Sequence, residues 1–248
     1  MSDELDALRQ ENARLQQALA HAHLELEDFT YSVSHDLRAS LRHVTAYLQI
    51  IDEDAGDLLD AASRAHLGTA AEAARHMGRL IDGLMELSRL GRVALHPAAV
   101  GLANLVAEAQ QVLAPEVAKQ PVQWRIAPDL PTVWGDAAML RQALVQVLGN
   151  ALKFSAQPGP AIVEIGWQPG SAGQCELWVR DQGVGFPPEQ AGKLFRAFSR
   201  LHRAAEFPGI GMGLALARKI VERHGGSISA SAQPGAGCCV RLSLPLAR

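Results

Sequence analysis

The 248-residue chain has only three cysteines, Cys175, Cys238 and Cys239. Their spacing builds neither a disulfide framework nor a zinc knuckle, which fits a reducing compartment. A basic excess is missing as well: 23 Lys and Arg against 26 Asp and Glu leave a net charge of −3. That balance argues against a broad nucleic-acid or membrane-surface footprint. No uncharged apolar run reaches the roughly 18 residues of a membrane span. The charged start, residues 1–12, lacks the apolar core of a secretion signal. The expectation is a cytoplasmic chain without nucleic acid and without a membrane segment. One further absence carries positive information. From Ser2 to Ile51 there is neither glycine nor proline, an unusually long window for one uninterrupted helix.

Within that window Leu5, Leu8, Asn12, Leu15, Leu19, Ala22, Leu26, Phe29 and Val33 recur at alternating spacings of three and four. This heptad pattern reads as a coiled-coil seam, with Asn12 at an a position where an amide fixes register. A single amphipathic helix lying on a globular core is the alternative. The phase then shifts through Phe29, Val33 and Leu37 to Leu41, Val44, Leu48 and Ile51. Such a shift unwinds a coiled coil locally and broadens its packing face, as where two strands become four. Ala73, Met77, Leu80, Leu84 and Leu87 repeat the pattern in a second helix, and the acidic stretch 52–60, with Gly56, is the turn. A helical hairpin of this length cannot bury both faces alone, so dimerisation is expected. His35 lies two residues from both Val33 and Leu37 and therefore points away from the seam, with Arg38 and Arg42 on its side.

Residues 91–100, with Pro97, read as a linker. Beyond it, 101–119 patterns as a helix that Pro115 kinks or ends, and Val122, Trp124 and Ile126 alternate as a strand. A strong helix spans 136–153, followed by strands over 162–167 and 176–180. Two more strands, 227–231 and 239–244, flank a hairpin signal at 233–237. This segregation favours an α/β sandwich of α+β type over a doubly wound parallel sheet. On the 136–153 helix, Leu140, Leu144, Val147, Leu148 and Ala151 form the apolar stripe, with Gln146, Asn150 and Lys153 opposite. Those three form either a solvated face or a seat for a metal-bound polyphosphate, since amide oxygens are hard ligands and Lys is a point charge.

Asp181, Gly183 and Gly185 end a strand. A carboxylate there can accept from an exocyclic amine while the glycines let a planar base approach the backbone. Gly209, Gly211 and Gly213 open a helix over 214–223, where backbone N–H groups and the helix dipole suit phosphate. Taken alone, each motif also reads as a turn. The glycines do not follow a strand in a βαβ unit, which counts against a dinucleotide fold. Between the motifs, the basic segment 193–200 reads as a lid or a surface loop.

Taken in order, these segments resemble the sensor histidine kinases of bacterial two-component signalling. Phe29-Thr-Tyr-Ser-Val-Ser-His35-Asp36-Leu37-Arg38 resembles the family's phospho-acceptor box, and residues 142–155, with Gln146, Asn150 and Lys153, resemble its N box. Residues 181–186 resemble the first glycine box, 194–198 the F box and 209–216 the second glycine box. The resemblance implies three parts: a coiled-coil linker helix over 1–28, a dimerisation and histidine-phosphotransfer hairpin over 29–91, and a catalytic ATP-binding α/β sandwich over 99–248. The hairpins of two chains would form a dimeric four-helix bundle.

By the same resemblance His35 takes the γ-phosphoryl group of ATP on a ring nitrogen and passes it to an aspartate of a response regulator. Asp36 orients the imidazole and accepts its proton. Asp181 recognises the adenine amine, flanked by Gly183 and Gly185. Asn150 holds Mg²⁺, Lys153 lies near the phosphates, and Gly209, Gly211, Gly213 and Leu214 wrap the triphosphate. Arg196 and Arg200 are lid contacts. Positioning and Mg²⁺ would then supply most of the catalysis. The implied partners are a second copy of the chain and a response regulator receiver domain, with room for an upstream sensor domain or protein.

Three positions depart from the family pattern. Gln146 stands where Asn or a carboxylate is usual, and Ser40 replaces the Pro after the box. Ala39 replaces the Thr or Asn that positions water for dephosphorylating the regulator, so a kinase-dominant protein with weak phosphatase activity is expected. No sensor domain is visible, and the chain reads as an excerpt or as a kinase driven by another protein. Two other readings compete. A chaperone or gyrase-type ATPase would lack residues 29–42, and an inactive dimeric scaffold would not need Asn150, Asp181 and the glycine boxes.

Overall fold

The computed structural model describes residues 2–118, 120–155, 159–203 and 206–247, and divides into two compact units, Met1–Arg92 and Val93–Arg248. Lys119, the end of one predicted helix, lies outside the described residues, as do the side chains of Leu5 and Leu8 in the predicted seam.

With nothing to break it, the N-terminal window forms one helix, α1, Ser2–Ala55, four residues past the predicted end. Ser40 interrupts nothing: its hydroxyl donates to the Asp36 carbonyl at 3.1 Å. Gly56 opens a 3₁₀ turn, Gly56–Leu58, and Asp60 then accepts from Ser63 N at 2.6 Å, a cap for α2, Ala61–Arg92. Between the helices, Leu41, Leu48, Leu80, Leu84 and Leu87 of the predicted rows are half-buried. Ser34 of α1 and Ala74, Gly83, Ser88 and Leu90 of α2 are buried, all but Leu90 small. A Cβ at Gly78 would lie 3.6 Å from Leu41 Cδ2. Small side chains let the helices approach, and the bulky heptad residues Leu26, Phe29, Val33, Leu37 and Met77 stay exposed on other faces. Arg38 pairs with Asp82 across the hairpin. Arg92 pairs with Asp28 at 2.9 Å and lies 5.0 Å from the Tyr31 ring centroid.

In the second unit, part of the predicted linker is a strand. β1, Ala98–Gly101, pairs antiparallel with β3, Thr132–Gly135. Strands of four residues are too short to display a period. Pro115 divides the predicted 101–119 helix into α3, Leu102–Val112, and α4, Ala114–Val117, where it occupies the first turn and needs no N–H. The main sheet has the order β2-β4-β5-β7-β6, built from β2 Val122–Ile126, β4 Ala161–Pro169, β5 Gln174–Asp181, β6 Ser227–Ala232 and β7 Cys238–Pro245. Only the β2–β4 pair is parallel. The helix α5, Ala137–Phe154, packs on α3, on β5 and on α6, Gly213–Arg223. Leu140, Leu148, Ile165, Leu177, Ile220 and Leu242 fill the layer between. Alternation along β5 puts Leu177 and Val179 inward and Trp178 outward. Trp178 lies over Gly166 of β4, where a Cβ would come within 2.2 Å of the indole.

Candidate functional site

Asp136 fixes the start of α5. Its Oδ1 accepts from Met139 N at 3.1 Å and its Oδ2 from His96 N at 3.0 Å. Burial alone would raise its carboxyl. The N–H groups of Met139, His96 and Ala138, with His224 nearby, outweigh that and leave it below the ordinary value. His224, at the end of α6, accepts the Asp136 N–H on Nε2 at 3.0 Å and donates from Nδ1 to the Ile220 carbonyl at 2.7 Å. This tautomer follows from its partners, because a carbonyl can only accept. The α5 start is thereby tied to the α6 end, and the two helices bracket one cavity.

The predicted stripe Leu140, Leu144, Val147, Leu148 and Ala151 is buried, and Gln146, Asn150 and Lys153 on the other side line a cavity of about 290 Å³. Burial, with the charge of Arg200 nearby, lowers the Lys153 ammonium. Asp181, at the end of β5, lines the same cavity while only 6% exposed. Both backbone donors it holds go to Oδ1: Gly183 N at 2.9 Å and Cys238 N at 3.1 Å. Burial pushes its carboxyl up to about 6 against the pull of those two N–H groups.

Gly209, Gly211, Gly213 and Leu214 form the wall at the start of α6. Gly211 has φ +75°, and a Cβ there would lie 2.5 Å from the Ser199 carbonyl, so only glycine fits. At Gly213 a Cβ would meet Gln146 Oε1 at 2.5 Å and Asn150 Nδ2 at 3.7 Å. The two amide side chains thus abut the glycine segment, and their oxygens are donors of the kind a hard cation takes beside phosphate. Gly185 lines the cavity, whereas Gly183 serves Asp181 from behind. Of the lid arginines, Arg200 lines the cavity and Arg196 does not. Arg200 donates to the Phe207 carbonyl at 2.6 Å and to the Gly209 carbonyl, bracing the lid from inside.

His35 and Asp36 belong to the other unit. The His35 side chain is 61% exposed, with Nδ1 3.2 Å from Asp36 Oδ1. A carboxylate there requires the proton on Nδ1, which leaves the Nε2 lone pair free.

Sequence reasoning missed several cavity residues. Phe154, His202 and Phe207 form a ring cluster with centroids 4.9–5.3 Å apart, and Lys153 Nζ lies 4.3 Å from the Phe154 ring. Phe154 had a signal, being one helical turn after Asn150, whereas His202 and Phe207 had none. Cys238 lies in the interior strand β7, not at an edge, and lines the cavity. Burial, with Asp181 and Cys239 nearby, pushes its thiol up to about 12.

Comparison with known families agrees with this division. Residues 25–92 match the His Kinase A (phospho-acceptor) domain, and residues 135–248 match the histidine kinase-, DNA gyrase B-, and HSP90-like ATPase family. The chain belongs to the two-component sensor histidine kinases, as their kinase core. Cyanobacterial phytochrome B of Nostoc sp. is 34% identical over 94% of this chain and 31% of its own length. The methanogenesis regulatory histidine kinase FilI of Methanothrix harundinacea is 33% identical over 89% of this chain and 25% of its own. The chain thus spans about a quarter to a third of these relatives. In fold it is similar to full-length ShkA, solved in complex with AMPPNP (TM-score 0.64, 24% identity, covering 89% of this chain and 46% of that one). It is also similar to the Acinetobacter baumannii histidine kinase AdeS (TM-score 0.58, 19% identity, covering 86% and 98%). No helix among the described residues is long and apolar enough to cross a membrane.

Proposed function

We propose that the chain autophosphorylates His35 from ATP and passes the phosphoryl group to an aspartate of a response regulator. The observation that carries this reading is a separation of roles. Asp181, Asn150, Lys153 and the Gly209–Gly213 segment line one cavity, while an exposed His35 with Asp36 on Nδ1 stands in the phospho-acceptor unit. Asp181 accepts the adenine amine, with Gly183 and Gly185 beside it. Lys153 meets the phosphates, whose charge offsets the cost of its burial, and Gly209, Gly211, Gly213 and Leu214 wrap them. Arg200, and Arg196 from farther off, act through the lid. Asn150, with Gln146 beside it, would hold Mg²⁺, which supplies charge neutralisation at the phosphates. His35 Nε2 attacks the γ-phosphorus, the bond to the β–γ bridging oxygen breaks to release ADP, and the Nδ1 proton passes through Asp36 to water.

The working division is a linker helix over 1–28, a phospho-acceptor hairpin over 29–91 and a catalytic domain over 99–248. The exposed heptad row supports a homodimer through a four-helix bundle, driven by an upstream sensor domain or protein in the cytoplasm. Ala39 supports kinase dominance. The test is incubation with γ-labelled ATP and Mg²⁺. An acid-labile, base-stable label supports the reading, and an acid-stable label or none contradicts it.

A further inference from the structure

Arg38 follows His35 by three residues on α1, and side chains at that spacing are neighbours, with Cβ atoms about 5–6 Å apart. Its guanidinium donates to Asp82 Oδ1 on α2. Neither partner is buried, the side chains being 38% and 61% exposed. An ion pair in such a setting holds weakly and can be exchanged. A phosphoryl group on the His35 ring would bring close to two negative charges and three acceptor oxygens to the same helix face. The planar guanidinium fork matches phosphate oxygens in pairs, which an ammonium would not do.

We propose that Arg38 is a positioning residue shared between two anions. Asp82 holds it on α2 while His35 is unmodified, and the phosphoryl group on His35 draws it away. Asp82 therefore limits how far the phosphorylation equilibrium runs, and phosphorylation releases one tie between the two helices. This rests on His35 being the acceptor. Arg38 forms and breaks no covalent bond and moves no proton; it contributes charge to one side of the equilibrium.

The test is the equilibrium label on the full chain at fixed ATP:ADP ratios with Mg²⁺. Asp82→Asn removes the competitor and is expected to raise the ratio of phosphorylated to unphosphorylated chain about 1.5- to 5-fold, the range of an exposed pair. Arg38→Gln should lower that ratio, and Asp82→Asn should add nothing in the Arg38→Gln background. Asp82→Glu should restore the original ratio. If the pair only holds the hairpin together, both single changes shift thermal stability and labelling rate in the same direction and leave the equilibrium ratio alone. Equal signs, no shift, or additive effects would overturn the proposal. A His35→Gln chain that still takes up label is a different failure, that of the acceptor assignment itself.

Discussion

Leu140, Leu148, Ile220 and Leu242 of the α/β unit are at most 2% exposed, whereas Leu15, Leu19, Leu26 and Phe29 of the helical unit are between 59% and 66% exposed. The α/β unit closes its core within one chain and so holds a cavity whose walls are set by packing. Among its described residues the helical unit buries Ser34, Ala74, Gly83, Ser88 and Leu90 and leaves many large apolar side chains, such as Leu26, Phe29 and Leu37, uncovered. An exposed row of that kind marks an association surface. A nucleotide site benefits from rigidity, while a phospho-acceptor that must respond to input benefits from packing completed by a partner. On this account, lesions in the two units should fail in different ways.

The largest effect expected of the α/β unit comes from Asp181→Ala. It removes the acceptor and leaves the buried adenine amine unpaired, a loss of about 1–3 kcal/mol, or roughly 5- to 150-fold in nucleotide affinity. Calorimetric titration with a non-hydrolysable ATP analogue measures it, and the helical unit should keep its melting behaviour. Next comes pH. With Oδ1 holding two N–H groups, the proton goes to Oδ2 and turns the oxygen left for the amine into a donor, and the carboxyl sits at about 6. Affinity should be level above pH 7 and fall about tenfold per unit below 6. Stability in the free protein runs the opposite way. Since the folded carboxyl lies above its ordinary value, the native state binds the extra proton, and its stability declines as pH rises from about 4 through 6. Asp181→Asn should flatten both profiles. Profiles unchanged by that substitution would place the titrating group elsewhere.

A probe of the helical unit is smaller in size but sharper in kind. One residue inserted near Gln17 should change the autophosphorylation rate several-fold more than seven residues inserted there, because only seven restore the heptad face. Equal effects would make the N-terminal helix a passive tether. The smallest expected effect concerns Ala39, whose methyl cannot align a water. Mixed with phosphorylated regulator and ADP, the His35→Gln chain should speed dephosphorylation by less than about tenfold, some 1.4 kcal/mol of barrier. A larger acceleration would show phosphatase chemistry independent of that position.

Legibility in the sequence also differed between the units, for physical reasons. The long helix α1 was readable because its cause, the absence of glycine and proline, is local. The polar side of α5 and the glycine segments were readable because helix period and turn chemistry are local as well. β1 and β3 were not, since four-residue strands show no period. The small residues of the hairpin contact, Ser34, Ala74 and Gly83, left no signal because hydrophobic periodicity overlooks them. Cys238 escaped notice because its place depends on β7 carrying its N–H to Asp181, 57 residues away in sequence. His202 and Phe207 reach the cavity only through the path of the lid.

The central claim is that one unit binds the nucleotide and the other receives the phosphoryl group. It is tested most directly by labelling the full chain with γ-labelled ATP and Mg²⁺, digesting it with trypsin at alkaline pH, and locating the phosphate by mass spectrometry. The account predicts phosphate on His35 within the peptide spanning residues 15–38, and not on His21 or His23 of the same peptide. It further predicts that His35→Gln abolishes uptake while leaving nucleotide affinity within about twofold. Phosphate found in the α/β unit or on another histidine, or uptake that persists in the His35→Gln chain, would contradict it.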